Sequence, residues 1–111
     1  LSHLPLLFEK AEPALTAIKD YLVHIHIGNA VLDPNLPGYG DYHPRFGFPG
    51  GANDVPELVD FLRGLFKIGY LREGDQRPWI GFEIKPQAAG ETPELVIAGT
   101  KRVWQEAWSR A

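Results

Sequence analysis

Two short stretches of the chain alternate apolar and polar residues with a period of two, the repeat of a strand whose successive side chains point to opposite faces. In Val23-His24-Ile25-His26-Ile27 the aliphatic residues share one face and both histidines the other. In Trp79-Ile80-Gly81-Phe82-Glu83-Ile84 the residues Ile80, Phe82 and Ile84 lie opposite Trp79, Gly81 and Glu83. Elsewhere the repeat is helical. Ala14, Leu15, Ile18 and Leu22 follow Glu12-Pro13, which predicts a short helix over Pro13 to Leu22. Leu58, Phe61, Leu62, Leu65 and Phe66 form an apolar stripe behind Asp54 and Glu57, spaced as a capping box, and Gly69 marks the stop. A polar turn from Arg72 to Arg77 leads into the second strand. Thr92 before Pro93 and Glu94 supplies another N-cap, and Leu95, Val96, Ala98, Val103, Trp104 and Ala107 carry a last helix to near the end. Between Gly28 and Gly51 the density of Gly, Pro, Asn and Asp breaks every regular element. A loop of about two dozen residues is uncommon in a compact domain and is usually functional.

The order helix, strand, loop, helix, strand, helix predicts right-handed βα units and a parallel sheet. An open doubly wound sheet is covered by helices on both faces and needs both to be apolar. Here each strand has one polar or small-residue face. A barrel accounts for this, because helices cover its outside while inward residues near the carboxyl ends of the strands carry the site. A complete eight-fold TIM barrel takes about 250 residues, so a single segment spanning 1–111 holds two to three of its βα units.

Composition narrows the chemistry. The chain is 44% apolar and 23% charged, as globular domains are. With 11 Lys and Arg against 14 Asp and Glu its net charge is -3, the wrong sign for a surface that neutralises phosphates, so nucleic acid is not the expected partner. No run is long and apolar enough to span a bilayer, and no signal segment opens the chain, so a cytoplasmic protein without membrane contact is expected. The absence of cysteine removes disulfides, thiolate metal sites and thiol nucleophiles, which leaves His and carboxylate as the available metal ligands.

Those ligands fall where parallel strands would bring them together. His24 and His26 point the same way from one strand, the loop after it holds Asp41-Tyr42-His43-Pro44-Arg45, and Glu83 lies on the polar face of the next strand. A carboxylate flanked by Ile and Phe is costly to bury without a cation. Imidazole nitrogens and carboxylate oxygens are the donors that hold Zn, Mn, Mg or Co.

The motifs His24-Ile25-His26-Ile27-Gly28-Asn29, Asp41-x-His43, Gly50-Gly51, Gly69-Tyr70 and Phe82-Glu83 resemble the carboxyl-terminal portion of the xylose-isomerase-like TIM barrels. That superfamily comprises sugar isomerases, ketose 3-epimerases, inosose dehydratases and the endonuclease IV class of AP endonucleases. The resemblance covers nearly the whole chain and implies that it supplies the last two to three βα units of the barrel. In the family a Glu, an Asp, a His and a final Glu from successive strand ends hold the metal. By position His26 resembles the His ligand and Glu83 the final Glu. Leu1-Ser2-His3 looks like the end of an Asp-x-x-His motif, which implies that His3 contacts the substrate and that the Asp sits one residue before Leu1. The chain then carries two of four family ligands, so a fragment inactive by itself is expected, completed by the amino-terminal part of the barrel or by assembly into a homo-oligomer.

The resemblance implies a divalent-metal-dependent sugar isomerase or epimerase. The cation polarises a carbonyl and its adjacent hydroxyl, and a carboxylate removes the proton next to them. Glu83 is then the catalytic carboxylate, His26, Glu83, Asp41 and His43 the metal ligands, and His3, His24 and Arg45 the contacts to a small sugar. Two rivals stand beside this reading. Asp41-x-His43 is similar to the Asp-x-His of the endonuclease branch, where it completes a multinuclear zinc site for phosphodiester hydrolysis. A non-catalytic scaffold would keep the fold without needing Glu83.

Overall fold

The computed structural model describes residues 1–74, 78–86 and 90–111. The elements in chain order are α1 (His3–Leu6), α2 (Ala11–Ile18), β1 (His24–Ile27), α3 (Val55–Lys67), β2 (Trp79–Phe82) and α4 (Pro93–Trp108). Helix α1 has no counterpart in the periodicity. Of the polar turn from Arg72 to Arg77, residues 75–77 lie outside the described residues.

β1 and β2 are parallel neighbours, with His24 opposite Trp79, Ile25 opposite Ile80, His26 opposite Gly81 and Ile27 opposite Phe82. One face is apolar: Ile25 and Ile27 are buried, and Ile80 and Phe82 are partly buried against the same core. The strand expected from Val23 begins one residue later, and Val23 is 82% exposed. At the other end Glu83 N still donates to Ile27 O at 2.9 Å, after which Lys85 N donates to His43 O at 2.8 Å. Past Phe82, therefore, the chain leaves β1 and pairs with the loop that follows it, and the strand expected to reach Ile84 ends early.

The apolar face lies against α3. Asp54 Oδ1 accepts from Val55 N at 2.9 Å and Glu57 Oε2 accepts from Asp54 N at 2.9 Å, so the capping box satisfies donors that a helix start leaves open. Leu58, Leu62 and Leu65 are fully buried, with Phe61 nearly so. Phe66, expected in the same stripe, instead faces outward beside Trp108 at a ring distance of 5.6 Å. Gly69 closes the helix in the left-handed region (φ 76°), where an L side chain is strained. α2 spans Ala11–Ile18, not Pro13 to Leu22, and this places Pro13 in the first turn, where its missing N–H costs nothing. α3 packs between α2 and α4. In α4 Thr92 Oγ1 accepts from Leu95 N at 3.2 Å, and Val96, Val103 and Ala107 are buried, while Leu95 is exposed. Among the described residues no helix is long and apolar enough to cross a membrane.

Candidate metal and substrate site

The second face of the strand pair is open, with His24, His26 and Trp79 exposed on it. Three further segments gather at its carboxyl end. The first is the start of the chain, where the Leu1 nitrogen donates to His26 O at 2.9 Å and lays residues 1–3 along the outer edge of β1. That bond brings α1, and with it His3, to the strand end.

The second segment is the loop after β1. It holds only isolated bridges, Val31 with Tyr39 and Val31 with Gly51, yet Ala30, Val31, Pro44, Phe46 and Phe48 are buried within it. Two buried asparagines organise it. Asn29 Oδ1 accepts from Ala30 N at 2.9 Å and Asn53 N at 2.8 Å, and its Nδ2 donates to Arg45 O at 3.0 Å. Asn53 Nδ2 donates to Gly28 O at 3.0 Å. Side-chain amides thus take the place of ladder bonds in a segment too rich in Gly and Pro to form a strand. This fold of the loop puts Asp41 and His43 beside His3. The third segment, after β2, delivers Glu83.

Four contacts join the five side chains. Asp41 Oδ1 lies 3.0 Å from His3 Nε2 and 3.0 Å from His43 Nε2. His43 Nε2 lies 3.7 Å from Glu83 Oε1, and Glu83 Oε2 lies 3.3 Å from His26 Nδ1. His43 is buried, with 5% of its side chain exposed, while Asp41, His3, His26 and Glu83 are open to solvent. Ligand atoms of His3, Asp41 and His43 all lie within 4.8 Å of one another. His43 also carries a left-handed backbone (φ 51°), held by the bond from Lys85 N.

The donors fall into two groups, the pair His26 and Glu83 and the trio His3, Asp41 and His43; among the described residues the four expected ligands His26, Glu83, Asp41 and His43 do not converge within reach of a single ion. Two bonds of about 2.1 Å that span the 3.3 Å between His26 Nδ1 and Glu83 Oε2 enclose an angle of about 100°, between octahedral and tetrahedral values. The same bond length across 3.0 Å gives about 90° at Asp41 with either imidazole. His43 fits less well, because its Nδ1 is buried without a hydrogen-bond partner among the described residues.

Two expected substrate contacts stand apart. His24 meets His26 edge to face at a ring distance of 4.8 Å and forms no ion pair among the described residues. Arg45 Nε donates to Glu91 Oε1 at 2.7 Å, with the guanidinium 5.9 Å from the Phe48 ring centre, so it ties the loop to the segment before α4. The sequence pattern includes Asn29 only as the end of the His24–Asn29 motif and gives Asn53 no role. The visible signal is an Asn directly before the capping Asp54, and another two residues past the end of β1.

Comparison of the chain with models of protein families, with characterised proteins and with solved structures gives no match.

Proposed function

We propose that this chain is part of a divalent-metal-dependent sugar isomerase or epimerase, built on a TIM barrel whose remaining strands come from the rest of the polypeptide or from a further copy, and acting in the cytoplasm. The observation that supports it most is the meeting of His26 and Glu83 across 3.3 Å at the carboxyl ends of two adjacent parallel strands, with Asp41 and His43 alongside. His26 and Glu83 would hold the cation, and its chemistry there would be to polarise a carbonyl and the neighbouring hydroxyl and so acidify the C–H of the hydroxyl-bearing carbon. Glu83, with one oxygen toward His26 and the other toward His43, would accept that proton. In an isomerase it would return it to the former carbonyl carbon while the hydroxyl proton passes to the other oxygen, and in an epimerase the family's first Glu, which this chain does not carry, would return a proton to the same carbon from the opposite face. His26 orients the first of the two Glu83 oxygens. His3, exposed beside Asp41, and His24, exposed beside His26, offer hydrogen bonds to sugar hydroxyls at the open face. Arg45, whose Nε donates to Glu91 Oε1, anchors the loop that carries Asp41 and His43.

A titration of Mn(II) or Zn(II) into the purified chain, with His26→Ala and Glu83→Ala beside it, tests the ligand assignment: both variants are expected to lose most of the binding. Equal uptake by all three refutes it. A second reading, phosphodiester hydrolysis, draws on the compact His3, Asp41 and His43 group, which is a place for another cation. Deuterium exchange from solvent into a ketose, lost in Glu83→Gln, favours the isomerase. Cleavage of an abasic strand, lost in Asp41→Ala, favours the hydrolase. A chain that keeps its binding partners while tolerating Glu83→Ala is a scaffold.

A further inference from the structure

The two edges of the sheet differ. At the β1 edge the Leu1 nitrogen donates to His26 O at 2.9 Å, and residues 1–3 lie against it. The β2 edge has no neighbouring strand among the described residues. Glu83 N donates to Ile27 O, and along a strand alternate residues turn their N–H and C=O to opposite sides, so Gly81 and Glu83 address β1. Ile80 and Phe82 therefore turn theirs outward, where nothing among the described residues pairs with them. Exposed edges are usually guarded by charge, and Trp79–Phe82 carries none.

Beside this edge runs an apolar groove of about 1040 Å³, floored by Ile80, Phe82 and Ile84 and walled by Ile97, Trp104 and Trp108 of α4. Small-molecule pockets hold about 300–1,000 Å³, and this one is larger and open along the strand, with Ile97 54% and Trp108 46% exposed. Free backbone groups over an apolar floor fit an added strand. We infer that the added strand is β2 of a second copy of this chain, antiparallel, about a two-fold axis at Gly81. A surface with one open edge that meets itself closes at two copies, and a two-fold ladder of a strand with itself runs antiparallel. Ile80 and Phe82 of each copy then exchange N–H and C=O bonds with Phe82 and Ile80 of the other, while the two glycines form the close pair that exchanges none. Both apolar faces fall on one side, so the two α4 helices close over the seam. Charge favours the approach: Arg72 and Lys101 outweigh Glu73 at the groove, on a chain of net charge -3. The polar face stays open, and Trp79 of the second copy stands across from Glu83. The pairing is independent of the functional reading, in which the same edge would take a parallel barrel strand.

Light scattering on the chain as it leaves a sizing column is expected to give twice the 12.4 kDa of one copy. Ile97→Glu sets like charges against each other over the seam from an exposed helical position, and is expected to return the chain to one copy with its circular dichroism unchanged. Because the chain has no cysteine, a single introduced thiol reports a single contact. Oxidised Gly81→Cys is expected to run as a covalent dimer, since residues opposite each other place their Cβ atoms about 4.5–5.5 Å apart, close to what a disulfide needs. Trp79→Cys is expected not to, since its two copies lie about 13 Å apart along the seam at about 3.3 Å per residue. A single copy at millimolar concentration overturns the inference and leaves the metal titration unaffected. So does a dimer that survives Ile97→Glu, or equal cross-linking at the two positions.

Discussion

Gly28→Ala tests how tightly the site is packed around the end of β1. The added Cβ would lie 2.6 Å from the carbonyl oxygen of Glu83, where a carbon and an oxygen in contact stand about 3.3 Å apart, so something must move by about 0.7 Å. Gly28 is not in the left-handed region, so the constraint is steric and not conformational. Neither side has slack: Asn53 Nδ2 holds Gly28 O at 3.0 Å, and Glu83 N is held by Ile27 O at 2.9 Å. Forcing a methyl into such packing costs about 1–3 kcal/mol, while the stiffer unfolded chain of Ala over Gly offsets about 0.4–1 kcal/mol. A net loss of about 1–2 kcal/mol is expected, which is about 4–8 °C in Tm for a domain of this size. Gly81→Ala is the control. Its Cβ would meet His26 Cδ2 at 3.3 Å, the far end of a side chain on an open face, so the ring gives way and stability holds or rises slightly. Urea and thermal unfolding of both variants measure the difference. A Gly28→Ala chain as stable as the parent, or equal losses at the two glycines, would refute the account.

Two further outcomes follow from buried and partly buried hydrogen bonds. Asn53→Ala removes the donor to Gly28 O from a side chain that is 2% exposed overall, and a loss of about 1–3 kcal/mol is expected in urea unfolding; a loss no larger than that of an exposed Asn35→Ala would be inconsistent with its role. Tyr70 OH donates to Trp79 O at 2.6 Å, and burial raises its phenol above the ordinary 10.0. The unfolded chain therefore releases this proton first, so the stability from Tyr70 is full below pH 10.0 and is lost as the pH rises through the folded value. Tyr70→Phe is expected to be less stable at neutral pH but to lose less on alkaline titration; parallel pH curves for the two proteins would contradict it.

What the chain's own pattern discloses is local. The period-two runs, the Asp54 and Thr92 caps and the Gly69 stop each depend on residues within four or five positions of one another; the caps and the stop are found where the pattern puts them, and the two runs form strands that are each shorter at one end. What it conceals is register. Alternation alone leaves Val23 in the strand with Ile25 and Ile27, and only the fold shows that pairing begins at His24 opposite Trp79. The site divides in the same way. His26 and Glu83 are legible because alternation places both on the polar side of neighbouring strands. The approach of His3 to Asp41 is not, because it depends on the bond from the Leu1 nitrogen to His26 O and on a loop closed by Asn29 and Asn53 across 24 and 25 residues. Arg45 shows the opposite failure: a cation beside a His-rich motif suggests a ligand contact, and its partner Glu91 lies 46 residues away.

These separations bear on how the site behaves as a unit. The hydrophobic core is carried by α3, whose buried face survives as long as the helix does. The five polar side chains instead hang on single long-range bonds: Leu1 to His26, Lys85 to His43, Asn29 to Arg45 and Asn53 to Gly28. His43 is the point where they meet, and it sits in a left-handed conformation that costs a non-glycine residue about 1–2 kcal/mol. Such a conformation persists only while its surroundings over-determine it. Loosening any one of those bonds lets His43 relax to an ordinary φ, and the turn of its backbone carries Nε2 away from Asp41 and Glu83. The loop and its site should therefore open at lower free energy than the α3 core, so that amide exchange at Ala30 and Asn53 outpaces exchange at Leu62 and Leu65. Equal protection of the two groups would mean that the loop and the core unfold together, and that the geometry of His43 is enforced by the whole domain.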